Sequence, residues 1–319
     1  MYLSALIGFV LLFGGGELLV RGAVAISRRL GLSALLIGMT VVAAATSAPE
    51  LVVSVGAALR GSSDIALGNV VGSNVFNVLG VLGVSALITP IVIKPMALRR
   101  DTAFMVGSVI ALALATMLGR IGPGVGVALL TGLVGYIAYS YHAETKREAD
   151  PAVELHVHEA EEFTGPGTVW AAAAYLAAGL GALIIGSQLL VTSATEIART
   201  FGVSEAVIGL TLVAVGTSLP ELATSIMAAL RGHADVAVGN VLGSNLFNAL
   251  GIVGATALVR PILVDPHMAR VDVWVMVAVS LAVVPLLLRH GRIGRVAGGL
   301  FVTAYVGYLV FLFLSTPGA

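Results

Sequence analysis

GMTVVAAATSAPELVVSVGAALRGSSDIALGNVVGSNVFNVLGVLG, running from Gly38 to Gly83, returns 171 positions later as GLTLVAVGTSLPELATSIMAALRGHADVAVGNVLGSNLFNALGIVG, from Gly209 to Gly254. Of the 46 aligned positions 28 are identical, and the identities reach beyond the apolar background. Thr46, Ser47, Pro49, Glu50, Asn69, Ser73, Asn74 and Asn77 recur as Thr217, Ser218, Pro220, Glu221, Asn240, Ser244, Asn245 and Asn248. A carboxylate at membrane depth is costly unless something offsets it, so a duplicated one in an oily chain marks a site.

The oiliness is general. Hydrophobic residues make up 58% of the 319, charged ones 11%, and mean hydropathy is +1.03. A soluble domain carries roughly 25% charged residues, so the chain reads as an integral membrane protein. Its 17 basic and 17 acidic residues cancel, which leaves no basic surface for nucleic acid. Cysteine is absent, so disulfides, thiolate metal sites and Cys nucleophiles are excluded. The first apolar stretch precedes Arg21, Arg28 and Arg29, the reverse of a signal peptide's charge order, and predicts a retained first helix.

Apolar stretches long enough to span a bilayer as helices fall near 2–25, 31–59, 64–88, 101–119, 121–142, 168–198, 202–230, 235–259, 270–289 and 295–315. Only 143–167 is a long polar connection, rich in acids and carrying His156 and His158. It divides the chain into two five-helix halves, 1–142 and 168–319. Five is odd, so halves built alike must enter the membrane from opposite sides. The expected fold is therefore an all-α membrane protein of ten transmembrane helices in two inverted repeats, a plan whose sites lie near the midplane. With the N-terminus outside, the inner connections hold twelve basic residues and the outer ones five, which puts both termini outside and the acidic linker in the cytoplasm.

Thr46 and Glu50 are four residues apart and share one helical face, as do Ser73 and Asn77. The second copy repeats both pairs as Thr217 with Glu221 and Ser244 with Asn248. Pro49 and Pro220 lack an N–H, which frees the carbonyls of Ala45 and Gly216. Carboxylates, hydroxyls, amides and loose carbonyls are all hard oxygen donors, the set calcium takes in flexible geometry. No sulfur or intramembrane histidine competes for a softer metal. Sodium would occupy several smaller sites among the same oxygens, and shared ligands make the two ions mutually exclusive. Exchange follows if the empty, doubly charged site crosses poorly and either loaded form crosses well. A cation channel is a rival reading, opposed by the tight divalent binding of paired buried glutamates. No nucleophile, base and orienting group occur at a spacing that suggests an enzyme.

T-S-x-P-E on the second and seventh helices, with G-N-x-x-G-S-N-x-F-N on the third and eighth, resembles the paired alpha repeats of the sodium/calcium exchangers within the cation/calcium exchanger superfamily. The resemblance implies a secondary antiporter exchanging Ca2+ for Na+ by alternating access, in a prokaryotic-type cytoplasmic membrane. It implies carboxylate ligands Glu50 and Glu221 and side-chain ligands Thr46, Ser47, Ser73, Asn77, Thr217, Ser218, Ser244 and Asn248. It adds backbone oxygens from Ala43 and Ala214, and sliding of the first and sixth helices past the remaining bundle. Partners are ions and lipid, with no cofactor and no particular oligomeric state.

The match has departures. Ala45 stands where the family pattern and the second copy have Gly. Several relatives, including potassium-dependent ones, carry Asp at the place of Asn248, so the Asn here argues against potassium cotransport. Proton/calcium relatives use G-N-x-x-E where this chain has T-S-x-P-E, which favours sodium, although Glu50 and Glu221 could carry protons and leave a proton-coupled antiporter as the alternative. About 25 linker residues are too few for a regulatory domain. Glu17, whose counterpart is Gln188, and the matched Asp64 and Asp235 stand apart from the symmetric set; the aspartates read as N-caps.

Overall fold

The computed structural model describes residues 2–92, 95–147, 166–201 and 214–315, and among them the chain is helical almost throughout. The first helix, α1 (Tyr2–Leu30), carries Arg28 and Arg29 in its last turn, where cations complement the carbonyl end of the helix dipole. It stops at Gly31 in the left-handed region, at φ +64°. Ser33 caps the next helix by accepting the N–H of Leu36. That helix, α2 (Ala34–Thr46), gives way at Ser47 to α3 (Ala48–Leu59), bent by 45°. Pro49 in the first turn of α3 explains the break: without an N–H it cannot continue the ladder of α2.

Then come α4 (Ser63–Ile88), α5 (Pro95–Thr116) and α6 (Pro123–Arg147). After residues 148–165, α7 (Val169–Thr200) opens on a Thr168 cap. Short α8 (Ala214–Thr217) is followed by α9 (Leu219–Leu230), with Pro220 in its first turn as Pro49 is in α3. The chain continues through α10 (Ala234–Val259), α11 (Met268–Leu288) and α12 (Arg295–Ser315). Among the described residues seven helices are long and apolar enough to cross a membrane, or eight if the bent α2–α3 pair counts as one span. The protein is an all-helical, multi-pass membrane protein.

α4 and α10 are the two innermost helices, with 78% and 89% of their most apolar window buried inside the protein. Each contains a π-helical turn, Asn77–Val81 in α4 and Phe247–Ile252 in α10. Such turns interrupt the regular ladder and recur at functional sites. Around this pair Leu67, Val70, Leu79, Leu82, Leu242 and Leu246 form the main core with apolar side chains of α5, α11 and α12.

α1 and α7 lie along one another backbone to backbone. A Cβ on Gly15 would stand 2.8 Å from the Gly179 carbonyl oxygen, and one on Gly179 would stand 2.8 Å from that of Gly15. Gly8 and Gly186 face each other in the same way one heptad off. These close approaches hold the two helices as one body, in the manner of small-residue membrane interfaces.

Two short antiparallel strand pairs join the halves. β1 (Ile91–Val92) pairs with β4 (Arg292–Ile293), and β2 (Arg120–Ile121) pairs with β3 (Ile262–Leu263). The 171-residue offset carries β1 onto β3 and β2 to within a residue of β4, so each ladder is the image of the other.

Helix ends differ from the sequence reading by a few residues. α5 starts at Pro95 instead of 101, since proline suits a first helical turn. α6 runs to Arg147, past the expected linker start at 143. Glu144 in that added turn accepts the Ser33 N–H at 3.1 Å and lies 3.8 Å from Arg100, which supports the helix beyond its apolar part. His156, His158, Glu154, Glu159, Glu161 and Glu162, and residues 202–213 of the expected seventh helix, lie outside the described residues.

Candidate ion-binding site

The breaks at Ser47 and Ser218 put each glutamate in the first turn of a new helix, Glu50 in α3 and Glu221 in α9. Both side chains are fully buried. Each is held from the other copy: Ser218 Oγ donates to Glu50 Oε1 at 2.9 Å, and Ser47 Oγ donates to Glu221 Oε1 at 3.0 Å. Ser244 Oγ is a second donor to Glu221 Oε1, at 3.4 Å. Ser73 Oγ lies 3.1 Å from Ser218 Oγ. A hydroxyl has one proton, and Ser218 gives its own to Glu50, so Ser73 donates to Ser218.

The next layer obeys the same exchange. Thr46 Oγ1 donates to Asn240 Oδ1 at 3.0 Å, and Thr217 Oγ1 to Asn69 Oδ1 at 3.4 Å. The amide nitrogens of Asn69 and Asn240 each donate at 3.2 Å to the backbone carbonyl of the glutamate in their own copy, Glu50 and Glu221. They also reach Ser54 and Ser225, at 2.9 and 3.0 Å. Asn69 and Asn240 thereby fasten each glutamate's backbone to the threonine of the opposite copy. Both were visible in the sequence as duplicated polar identities, but their spacing alone gave no sign of this crossed tie.

The other half of each carboxylate is unsatisfied. Glu50 Oε2 and Glu221 Oε2 are buried without a hydrogen-bond partner, as are Asn77 Oδ1 and both polar atoms of the Asn248 amide. A buried carboxylate oxygen with no donor is costly and calls for a cation or a proton. Among the described residues no three His, Asp or Glu side chains converge. The cluster therefore offers two carboxylates and otherwise neutral oxygens, a donor set that suits hard cations.

The expected backbone ligands are partly engaged. The Ala43 carbonyl accepts the Ser47 N–H at 2.9 Å and lies 3.4 Å from Thr46 Oγ1, whose single proton has its shorter contact with Asn240 Oδ1. Ala214 begins α8, and the Ser218 N–H goes to Val215. Of the two carbonyls expected to be freed by proline, that of Gly216 accepts Ser187 Oγ of α7 at 2.6 Å. The counterpart of Ser187 is Gly16, which has no hydroxyl to offer Ala45. Beside the cluster a cavity of about 460 Å³ opens between α3, α7 and α8, lined by Pro49, Val52, Gln188, Thr192 and Thr217 among others.

Outside the cluster, Glu17 pairs with Arg21 of its own helix at 2.6 Å and with Arg231 at 2.7 Å. Asp64 and Asp235 each lie inside the first turn of a helix, after Ser62 and His233, which take the cap positions. The reading of both as N-caps is corrected by two residues; in the first turn their charge favours the helix dipole instead.

A duplicated helical membrane fold that crosses its own repeats to build a buried, oxygen-lined pair of carboxylates is that of a cation antiporter. The sequence-family description "Sodium/calcium exchanger protein" matches residues 1–142 and 171–314. The chain belongs to this sodium/calcium exchanger family, whose members carry out cation/Ca2+ antiport. It is 38% identical to the putative antiporter CaxA of Alkalimonas amylolytica, over 97% of this chain and 98% of that one. It is 31% identical to the sodium/calcium exchanger MaX1 of Methanosarcina acetivorans, over 98% of each. Among solved structures, that of the sodium-calcium exchanger NCX_Mj soaked with 2.5 mM Na+ and 0.1 mM Ca2+ superposes with a TM-score of 0.80 at 30% identity, covering 96% of both chains.

Proposed function

We propose that this protein exchanges Ca2+ for Na+ across a prokaryotic cytoplasmic membrane by alternating access. Glu50 and Glu221 supply the charge that balances calcium. Thr46, Ser47, Ser73, Asn77, Thr217, Ser218, Ser244 and Asn248, with the carbonyls of Ala43 and Ala214, supply neutral oxygens. The observation that carries this reading is the crossed pair of serine–glutamate bonds, which leaves one oxygen of each carboxylate buried and free to take a cation. With the site empty, two uncompensated carboxylates oppose passage through the closed state. With one Ca2+, or with sodium ions among the same oxygens, that opposition is relieved, and transport of one ion is tied to return of the other.

Ten membrane helices in two inverted repeats, 1–142 and 168–319, joined by a cytoplasmic linker over 143–167, accommodate this cycle with both termini outside. In this reading the 22-residue α5 and the α8–α9 segment serve as the two further spans. The strand ladders and hydrogen bonds that repeat at the 171-residue offset support the symmetry. α1 and α7, joined at Gly15 and Gly179, are the body that slides. Sodium is favoured as the coupling ion by the T-S-x-P-E motifs and by the names of MaX1 and NCX_Mj; coupling to protons is the alternative.

Calcium-45 uptake into proteoliposomes under imposed sodium, potassium or proton gradients tests the reading. Uptake should collapse when internal sodium is replaced by choline at fixed pH, and potassium should not restore it. Equal uptake driven by a pH gradient alone would transfer the assignment to proton coupling.

A further inference from the structure

Two asparagines outside the ligand set, Asn74 and Asn245, are counterparts at the 171-residue offset and bond directly to one another. Asn245 Nδ2 donates to the backbone carbonyl of Asn74 at 3.3 Å, and Asn74 Nδ2 donates to that of Asn245 at 3.4 Å. Both side chains are fully buried. A backbone carbonyl only accepts, so these bonds fix which end of each amide is nitrogen.

The consequence passes to the neighbouring ligand. With its nitrogen committed to Asn74, Asn245 turns its Oδ1 to Asn77, which donates Nδ2 to it at 3.1 Å. An amide oxygen cannot donate, so Asn77 has to present its nitrogen there and its own Oδ1 elsewhere. That oxygen is buried and has no partner. Asn77 follows Ser73 by one helical turn on the same face, and Ser73 is bonded into the Ser218–Glu50 arm.

We propose that Asn245, itself held by Asn74, is a positioning residue that decides which end of the Asn77 amide faces the ion. The inference rests on the ion-site reading above. Without Asn245, the Asn77 side chain turns over at little cost and offers a donor N–H2 to the cation in place of an oxygen. The counterpart atoms, Asn74 Oδ1 and Asn248 Nδ2, are both buried without a partner, so the positioning bond is made to Asn77 and not to Asn248.

The experiment is a double-mutant cycle on calcium-45 uptake in proteoliposomes, reading KM and kcat separately for wild type, Asn77→Ala, Asn245→Ala and the double variant. Groups that orient metal ligands are worth about 10- to 100-fold in metal affinity. Asn245→Ala should raise the calcium KM toward the low end of that range, with kcat changed far less. The double variant should be no worse than Asn77→Ala, because no amide is left to orient. Multiplying penalties, or a wild-type KM in Asn245→Ala, would overturn the positioning role while leaving Asn77 a ligand. An unchanged KM in Asn77→Ala would remove the ion-site reading at that position and this inference with it. If Asn245→Ala does not fold, Asn245→Asp enters the same cycle: it keeps an acceptor opposite Asn77, and it should show a smaller KM penalty than Asn77→Ala. The reverse ranking would overturn the proposal.

Discussion

Glu17 of α1 and Arg231 at the end of α9, 214 positions apart, form a two-pronged ion pair, with Arg231 Nε 2.8 Å from Oε2 and a terminal guanidinium nitrogen 2.7 Å from Oε1. It ties the α1–α7 body to the helix that carries Glu221. At the 171-residue offset the pair becomes Gln188 and Arg60, where no carboxylate is present, so the two copies cannot be latched alike. Gln188 instead lines the cavity beside the cluster.

Glu17→Gln should therefore leave the calcium KM unchanged and lower thermal stability slightly. Arg231 is half exposed, and a pair of this kind contributes on the order of 1 kcal/mol or less. A melting curve with and without calcium checks this. Loss of calcium-dependent stabilisation in the variant would instead place Glu17 in the site.

Glu50→Gln and Glu221→Gln should each abolish calcium transport in protein that remains monodisperse, because each removes a charge needed against a divalent ion. The crossed bonds extend the expectation to the serines. Ser218→Ala acts on Glu50 and Ser47→Ala on Glu221, so each serine variant should lose nothing further when combined with the glutamine change at its partner. Wild-type flux in either glutamine variant would end the site assignment.

Much of this cluster was legible in the sequence, because duplication separates polar residues that serve a site from those that serve one helix. Thr46, Glu50, Ser73, Asn77 and their counterparts could be placed on shared faces from spacing alone. What spacing could not show was the exchange between copies. Nothing within either repeat reveals that Ser47 serves Glu221 and Ser218 serves Glu50, since that depends on how α2–α3 and α8–α9 meet. The capture of the Gly216 carbonyl by Ser187 was hidden for the same reason: proline predicts a freed carbonyl, and tertiary packing decides what takes it. Helix ends were the least legible part. α6 keeps its ladder to Arg147 through contacts of Glu144, which hydropathy does not register.

Topology has a clean test because the chain has no cysteine. Ser62, between α3 and α4, and Ala234, at the start of α10, occupy nearly equivalent places in the two copies. In an inverted repeat a cysteine at Ser62 should react with an impermeant maleimide from outside and one at Ala234 only from inside. Labelling of both from one side would make the repeats parallel.

Asn248 sits one turn after Ser244, which donates to Glu221, and neither polar atom of its buried amide has a partner. Asn248→Asp adds a third carboxyl to the cluster, where its negative charge and those of Glu50 and Glu221 repel one another. The sign is definite. At low pH the new carboxyl is protonated and neutral, and the variant should resemble wild type. As pH rises and the new carboxyl ionises, a charge is added to the cluster and alters the balance against both Ca2+ and Na+. Calcium flux followed from about pH 5 to about pH 9 should therefore converge with wild type at the acid end and diverge at the alkaline end. Asn248→Ala, which loses the amide oxygen without gaining a titrating group, should be depressed by a constant factor relative to wild type. Superimposable profiles for wild type and Asn248→Asp would put position 248 outside the ion cluster and withdraw the ligand assignment on α10 at that residue.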